Sequence, residues 1–193
     1  AIVRRKFVVT TQTKHNLRTA PNLLSRAFDQ ETPNKVWVSD ITYLKSRVGW
    51  LYLTVFIDLF SRRVVGWQVS RSLEHETILD ALKQAVRSRR PEPGLMIHSD
   101  RGVQYCCDGF RMAVDSHGFI QSMSRKANCW DNAVAESFFR ALKTEWAYHI
   151  ELDNLEQARR ELFEYIEVFY NNQRLHATLD YVTPADFEMK NVG

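Results

Sequence analysis

Three acids in the chain stand where chemistry could be done: Asp40, Asp100 and Glu136. Carboxylate oxygens are hard donors suited to Mg²⁺ with its retained waters, whereas His and Cys suit softer ions. Asp40 interrupts the apolar run Val36-Trp37-Val38-Ser39-Asp40-Ile41-Thr42-Tyr43. An unpaired charge is costly to bury there, so it either faces solvent by alternation or serves a site. Asp100 follows the short apolar run 95–97, and in open α/β sheets sites form at the carboxyl ends of strands; as a single residue it reads equally well as a turn acid. On a helical wheel, Val134, Phe138, Leu142 and Trp146 make one stripe, while Glu136, Arg140 and Lys143 cluster roughly 180–240° from Val134. Glu136 is therefore either part of a solvated face or a ligand.

The elements that must position these acids follow from periodicity. Branched and aromatic runs at 36–43, 50–57 and 64–69, joined by short links, predict three consecutive antiparallel strands. Ser72 is the expected N-cap of a helix whose apolar stripe is Ile78, Leu79, Leu82, Ala85 and Val86, stopped at Pro91-Glu92-Pro93-Gly94. A buried strand at 95–97, a helix containing 110–114 and a strand at 119–123 come next, the fourth strand being reached through a helical crossover as parallel pairing requires. A polar loop, 124–130, leads to a long helix from Asp131 to about Tyr148. A second begins at Asp153, with Glu156 as its capping-box partner and Leu155, Ala158, Leu162, Ile166 and Phe169 as its core face. The fold class is thus α/β, a mixed sheet of three antiparallel strands and then parallel ones, flanked by helices. Residues 1–33 read as a basic arm, 34–150 as the core, and 151–193 as a helix and tail packed on it.

The 193 residues are 45% hydrophobic and 25% charged, with 7 Gly and 5 Pro, which excludes a disordered, collagen-like or low-complexity protein. The net charge is only +3, yet residues 1–35 hold seven basic groups against two acidic ones, leaving the remainder slightly acidic. A basic lead-in suits a polyanion, or is a solvated linker. Cys106, Cys107 and Cys129 are odd in number and lack C-x-x-C spacing, so they read as ordinary thiols in a reducing compartment. With no signal-like or membrane-spanning apolar run, a cytoplasmic location is the expectation and a membrane partner is not.

Asp, Asp and, after 35 intervening residues, Glu on a β-β-β-α-β-α frame resembles the DDE catalytic core of retroviral integrases and many transposases, whose fold is ribonuclease-H-like. Local wording narrows the likeness. The run 36–43, Ile57-Asp58-Leu59-Phe60-Ser61-Arg62-Arg63, His98-Ser99-Asp100-Arg101-Gly102-Val103-Gln104-Tyr105, Trp130-Asp131-Asn132-Ala133-Val134-Ala135-Glu136 and Tyr170-Asn171-Asn172-Gln173-Arg174-Leu175-His176 resemble bacterial transposases of the insertion-sequence-three type. Members usually carry a helix-turn-helix region upstream, for which residues 1–33 leave no room. Some DDE transposases also carry a Tyr and an Arg ahead of the Glu and a Lys seven residues after it; here Cys129 and Asn132 stand at the first two places and only Lys143 matches.

The resemblance implies a bacterial enzyme that cleaves and transfers DNA strands during transposition, acting on terminal inverted repeats and target DNA, as a homo-oligomer. It implies two Mg²⁺ ions, with Mn²⁺ able to substitute, held by Asp40 as shared ligand and by Asp100 and Glu136. A purely hydrolytic nuclease and a decayed DNA-binding module are the alternatives. Lys143 is placed to hold a phosphate, or is an exposed helix lysine. Arg101, Trp130, Asn132, Arg125 and Lys126 are further candidates for DNA contact, Trp130 reading equally as a lid on the core. Arg174 and His176 are expected to fasten the tail to the core, and Asp58 to order a hairpin turn.

Overall fold

The computed structural model describes residues 17–125 and 129–191. β1 (Val36–Ser46) and β2 (Gly49–Asp58) form a long hairpin, and β3 (Val64–Ser70) adds a third antiparallel strand with a register shift between Phe56 and Ile57. Chain reversal through α1 (His75–Arg89) brings β4 (Met96–Ser99) beside β1 in parallel. The short α2 (Val103–Cys106) and α3 (Asp108–Ser116) then bring β5 (Ile120–Met123) parallel to β4. The sheet order is β3-β2-β1-β4-β5. This is the mixed sheet the alternating patterns predict.

Side-chain alternation sends the sheet's apolar residues to two cores. Trp37, Phe56, Val65 and Ile97 pack with Ile78, Leu82, Phe110 and Val114 of α1 and α3. Val36, Val38, Val55 and Ile57 pack on the other face with Phe138 and Leu142 of α4 (Ala133–Leu142) and Ala158 and Leu162 of α5 (Leu155–Phe163). β3 and α1 approach so closely that a Cβ on Gly66 would lie 2.4 Å from the Ala81 carbonyl oxygen and 2.7 Å from the Ala85 Cβ.

Local details differ from expectation for identifiable reasons. Ser72 does not cap α1: the Ser70 hydroxyl donates to the Ser72 carbonyl (2.6 Å) and accepts its N–H (2.9 Å), holding a turn, and the helix starts after Glu74. The α5 cap is Asn154, not Asp153; its Oδ1 accepts the Gln157 N–H at 2.9 Å. The expected stripe ending in Phe169 slips because 164–170 are wound with wider π turns, so Tyr165, Ile166 and Tyr170 are buried and Phe169 is exposed. A single 3₁₀ turn, Cys129–Asn132, precedes α4, and π turns at Lys143–Ala147 carry that helix on toward Tyr148.

Of the basic lead-in, Arg4, Arg5, Lys6 and Lys14 lie outside the described residues. Its later part is fastened to the core: the Leu23 and Leu24 N–H groups donate to Ser122 Oγ (2.9 and 3.2 Å), Met123 N–H donates to the Pro21 carbonyl (3.1 Å), and Leu24 is buried. At the other end α6 (Pro184–Asn191) is anchored by buried Glu188, which accepts from Ser61 at 2.7 Å, from Arg89 at 2.8 Å through each oxygen, and from Arg63 at 3.2 Å.

Candidate active site

Parallel pairing of β1 with β4 ends at Ser39 opposite Ser99, and one residue further each strand presents an aspartate. Asp40 and Asp100 therefore emerge side by side where β4 ends and β1 runs on paired only with β2, at the carboxyl ends of two parallel strands, where open α/β sheets place ligands. Both line a cavity of about 20 Å³ with Ile41, Tyr43, Leu73, Gly102, Gln104 and Tyr105, enough for a water molecule or a single ion. Asp40 Oδ1 accepts the Ile41 N–H (2.8 Å), and Asp100 Oδ1 accepts the Gly102 N–H (2.9 Å).

Electrostatics tie the remaining members to this pair. The Asp40 carboxyl is pushed well above the ordinary carboxylate range, first by burial and then by the charge of Asp100, with a smaller push from Glu136; the Ile41 N–H and the Lys143 ammonium oppose it. Burial raises Glu136 as well, against Arg140, and lowers Lys143, against Asp40. Glu136 is exposed on α4 and is not among the residues lining the cavity. Among the described residues no three of His, Cys, Asp and Glu stand together closely enough to enclose an ion. Two carboxylates are thus adjacent, with the third close enough for its charge to be felt. Crowded, partly buried acids that repel one another fit a divalent cation, whose charge would offset the repulsion, and their all-oxygen donor set suits Mg²⁺.

The candidate DNA contacts divide. Lys143 is half-buried beside Asp40, and Arg101 is half-buried, its Nε donating to the Ser124 carbonyl at 2.8 Å. Trp130 is 69% exposed and so is no lid on the core. Asn132 is only 5% exposed, its Oδ1 buried without a hydrogen bond among the described residues. Arg125 is engaged by Asp131, and Lys126 lies outside the described residues. Arg174 does hold the tail, donating to both oxygens of Glu145 (2.7–3.0 Å), while His176 stands edge-on to Tyr170. Asp58 orders the turn as expected, accepting the Asn34 and Phe60 N–H groups at 2.8 and 3.0 Å.

Two residues at the site, and a third on β4 just before Asp100, escaped sequence reasoning. Tyr105 is buried beneath the two acids, its hydroxyl 2.8 Å from Ser39 Oγ. Tyr43 forms a wall of the cavity. His98 is buried and neutral, lowered to about 4 by burial, between Ser122 and Ser124 at 2.9 and 3.2 Å. The available signal was proximity: Tyr43 lies three residues after Asp40, Tyr105 five after Asp100.

The chain and its fold are similar to known proteins. Residues 30–129 match the integrase core domain family, and 136–192 match a second family of the same description. The chain is 44% identical over 187 residues to the insertion element IS600 uncharacterized 31 kDa protein of Shigella sonnei, covering 97% of this chain and 69% of that protein. It is 42% identical to the transposase for insertion sequence element IS904 of Lactococcus lactis (89% and 68% covered) and 40% identical to transposase InsF for insertion sequence IS3A of Escherichia coli K12 (98% and 66%). In three dimensions it resembles the simian T-cell lymphotropic virus intasome (TM-score 0.68, 19% identity, 92% of this chain and 60% of that one). The HTLV-2 integrase catalytic core in complex with magnesium is similar too (TM-score 0.62, 17% identity, 81% and 97%). The chain belongs to the integrase core domain family, and its fold is that of the ribonuclease-H-like integrase cores. Within that family it is a transposase catalytic core, an enzyme of polynucleotidyl-transferase type related to the insertion-sequence-three elements.

Proposed function

We propose that this core cleaves a DNA strand at an element end and joins the freed 3′-hydroxyl to a second phosphodiester, with Asp40, Asp100 and Glu136 as its catalytic carboxylates. The observation that carries the reading is the emergence of Asp40 and Asp100 from adjacent parallel strands into one cavity, with Asp40 raised first by burial and then by the charges of both other acids. Asp40 would be the ligand shared by two Mg²⁺ ions, or Mn²⁺ in their place, with Asp100 and Glu136 flanking. Bound there, the metal would supply charge neutralisation at the phosphate and activation of the attacking oxygen.

The chain's own groups do the rest. Tyr105 and Ser39 hold β1 and α2 together under the acids. Lys143, beside Asp40, presents its ammonium to a phosphate oxygen, and Arg101 and Trp130 extend the DNA contact on either side. Arg125 and Asn132 are not retained in that role, the one being engaged by Asp131 and the other buried.

The substrates are the terminal inverted repeats and target DNA, in the bacterial cytoplasm, and pairing two ends calls for a homo-oligomer on DNA. Residues 1–33 act as the lead-in, 34–150 as the catalytic unit and 151–193 as its packed tail. Strand cleavage and strand transfer on element-end DNA, with Mg²⁺, test the reading. Joined products are expected, and hydrolysis products alone would indicate a nuclease. Undiminished activity in Asp100→Asn or Glu136→Gln would overturn the assignment.

A further inference from the structure

The face of the β1–β2 hairpin on the α1 side carries three aromatic rings outside both core clusters. Tyr43 and Tyr52 are paired across the strands and meet edge to face, ring centres 5.0 Å apart at 67°. Tyr43 also meets Trp50 edge to face at 6.3 Å and 86°. The Trp50 ring is 57% exposed and both tyrosines are half-buried. An indole left in water forgoes the burial its area favours, so such a ring at a strand end is better explained by something that covers it.

The position of the row indicates what that is. Tyr43 is at once a member of the row and a wall of the cavity holding Asp40 and Asp100, so the rings begin at the acids and run outward along the hairpin. Lys45, next on the same face by alternation, stands opposite Trp50 in register. Rings alternating along paired strands with a cation beside them make a surface on which bases stack while the backbone stays in solvent. Such stacking accepts any base, because every base has a π face, but it requires the base to be out of the duplex.

We propose that Tyr43, Trp50 and Tyr52 form a stacking shelf for unpaired nucleobases next to the scissile phosphate. The proposal rests on Asp40 and Asp100 being the catalytic pair. The shelf favours ends that are frayed or opened over intact duplex, and places the first unpaired base on Tyr43, nearest the acids.

The test is fluorescence anisotropy with a labelled duplex ending either bluntly or in three unpaired nucleotides, in EDTA so that no strand is cut. Wild type is expected to prefer the forked end. Trp50→Ala should lose roughly tenfold in affinity for the fork, the worth of one stacked base, and little for the blunt duplex; Trp50→Phe should keep most of the preference. Unchanged melting temperature confirms that the variants fold. Equal losses on both DNAs, or none, overturn the shelf. So does an oligomer that Trp50→Ala dissociates in sedimentation while fork binding is unaltered, which would make a second copy the occupant. Cleavage assays separate the two readings: fork preference in wild type together with undiminished cleavage by Asp100→Asn would leave the rings binding unpaired bases but remove the catalytic assignment, and with it their place beside the scissile phosphate.

Discussion

Asp131 holds Arg125 in a two-pronged ion pair, Arg125 Nη2 donating to Oδ1 at 2.9 Å and Nε to Oδ2 at 3.0 Å. The same carboxylate accepts the Arg125 backbone N–H (2.9 Å), Asn22 Nδ2 (2.8 Å) and Arg26 Nε (3.0 Å), and it is 1% exposed. One buried acid thereby gathers the lead-in, the segment after β5 and the turn that starts the Glu136 helix. Arg125, and the hydrogen bonds generally, hold it well below the usual carboxylate range. Its stabilisation is therefore present at neutral pH and is lost as pH falls below about 4, the ordinary carboxylate value, toward its own depressed one. Replacing it with Ala should cost about 2–3 kcal/mol in urea denaturation, since several charge-assisted bonds go while both guanidiniums remain able to reach water.

Asp58 works in the opposite direction. It is fully buried, and burial raises it to about 6 despite its two N–H donors and Arg89, with Glu188 adding to the rise. The folded chain then binds a proton that the unfolded chain releases near pH 4, so this contribution is complete below about 4 and declines as pH rises through 6. A shift of that size corresponds to about 3 kcal/mol. Subtracting the stability curve of Asp58→Asn from that of wild type between pH 4 and 7 should show a difference falling with pH; a flat or rising difference would refute it.

Because Asp40 tends to keep its proton, divalent metal should compete with protonation at the site. Mg²⁺ or Mn²⁺ is expected to raise the melting temperature of wild type, by about 2.7 kcal/mol of added stability at a hundredfold excess over its dissociation constant. The effect should weaken on acidification, vanish with EDTA and be absent in Asp40→Asn. Differential scanning calorimetry across pH and metal concentration measures all of these outcomes.

Gly66 tests the packing that seats the sheet on α1. Alanine there would place a methyl against the Ala81 carbonyl and the Ala85 side chain, both parts of a packed helix that cannot swing away. Overpacking of this kind costs about 1–3 kcal/mol. Gly66→Ala should lower the urea midpoint by a corresponding amount, while Gly49→Ala, with nothing within 4 Å, should show only the strain of its positive φ.

The order of elements was legible in the sequence because each rests on a local period: alternation in β1 to β3, and the stripe of Val134, Phe138 and Leu142 that turns Glu136 outward. The three acids were legible as a group only through their resemblance to the DDE pattern, since Asp100 alone reads equally as a turn acid and Glu136 as part of a solvated face. What closes around them was not. Parallel pairing joins residues some 60 positions apart, so only the folded sheet brings Tyr105 under Asp40 and makes Tyr43 a wall between the acids and an aromatic row. The partners of Asp131 come from 22, 26 and 125, and only the folded chain pairs it with Arg125, a cation that spacing alone offers to DNA. The π turns over 164–170 likewise changed which side of a helix is buried, since backbone winding answers to tertiary packing. Sequence period determines which residues share a face; only the assembled sheet determines which faces meet, because that depends on strand order and on contacts no local pattern contains.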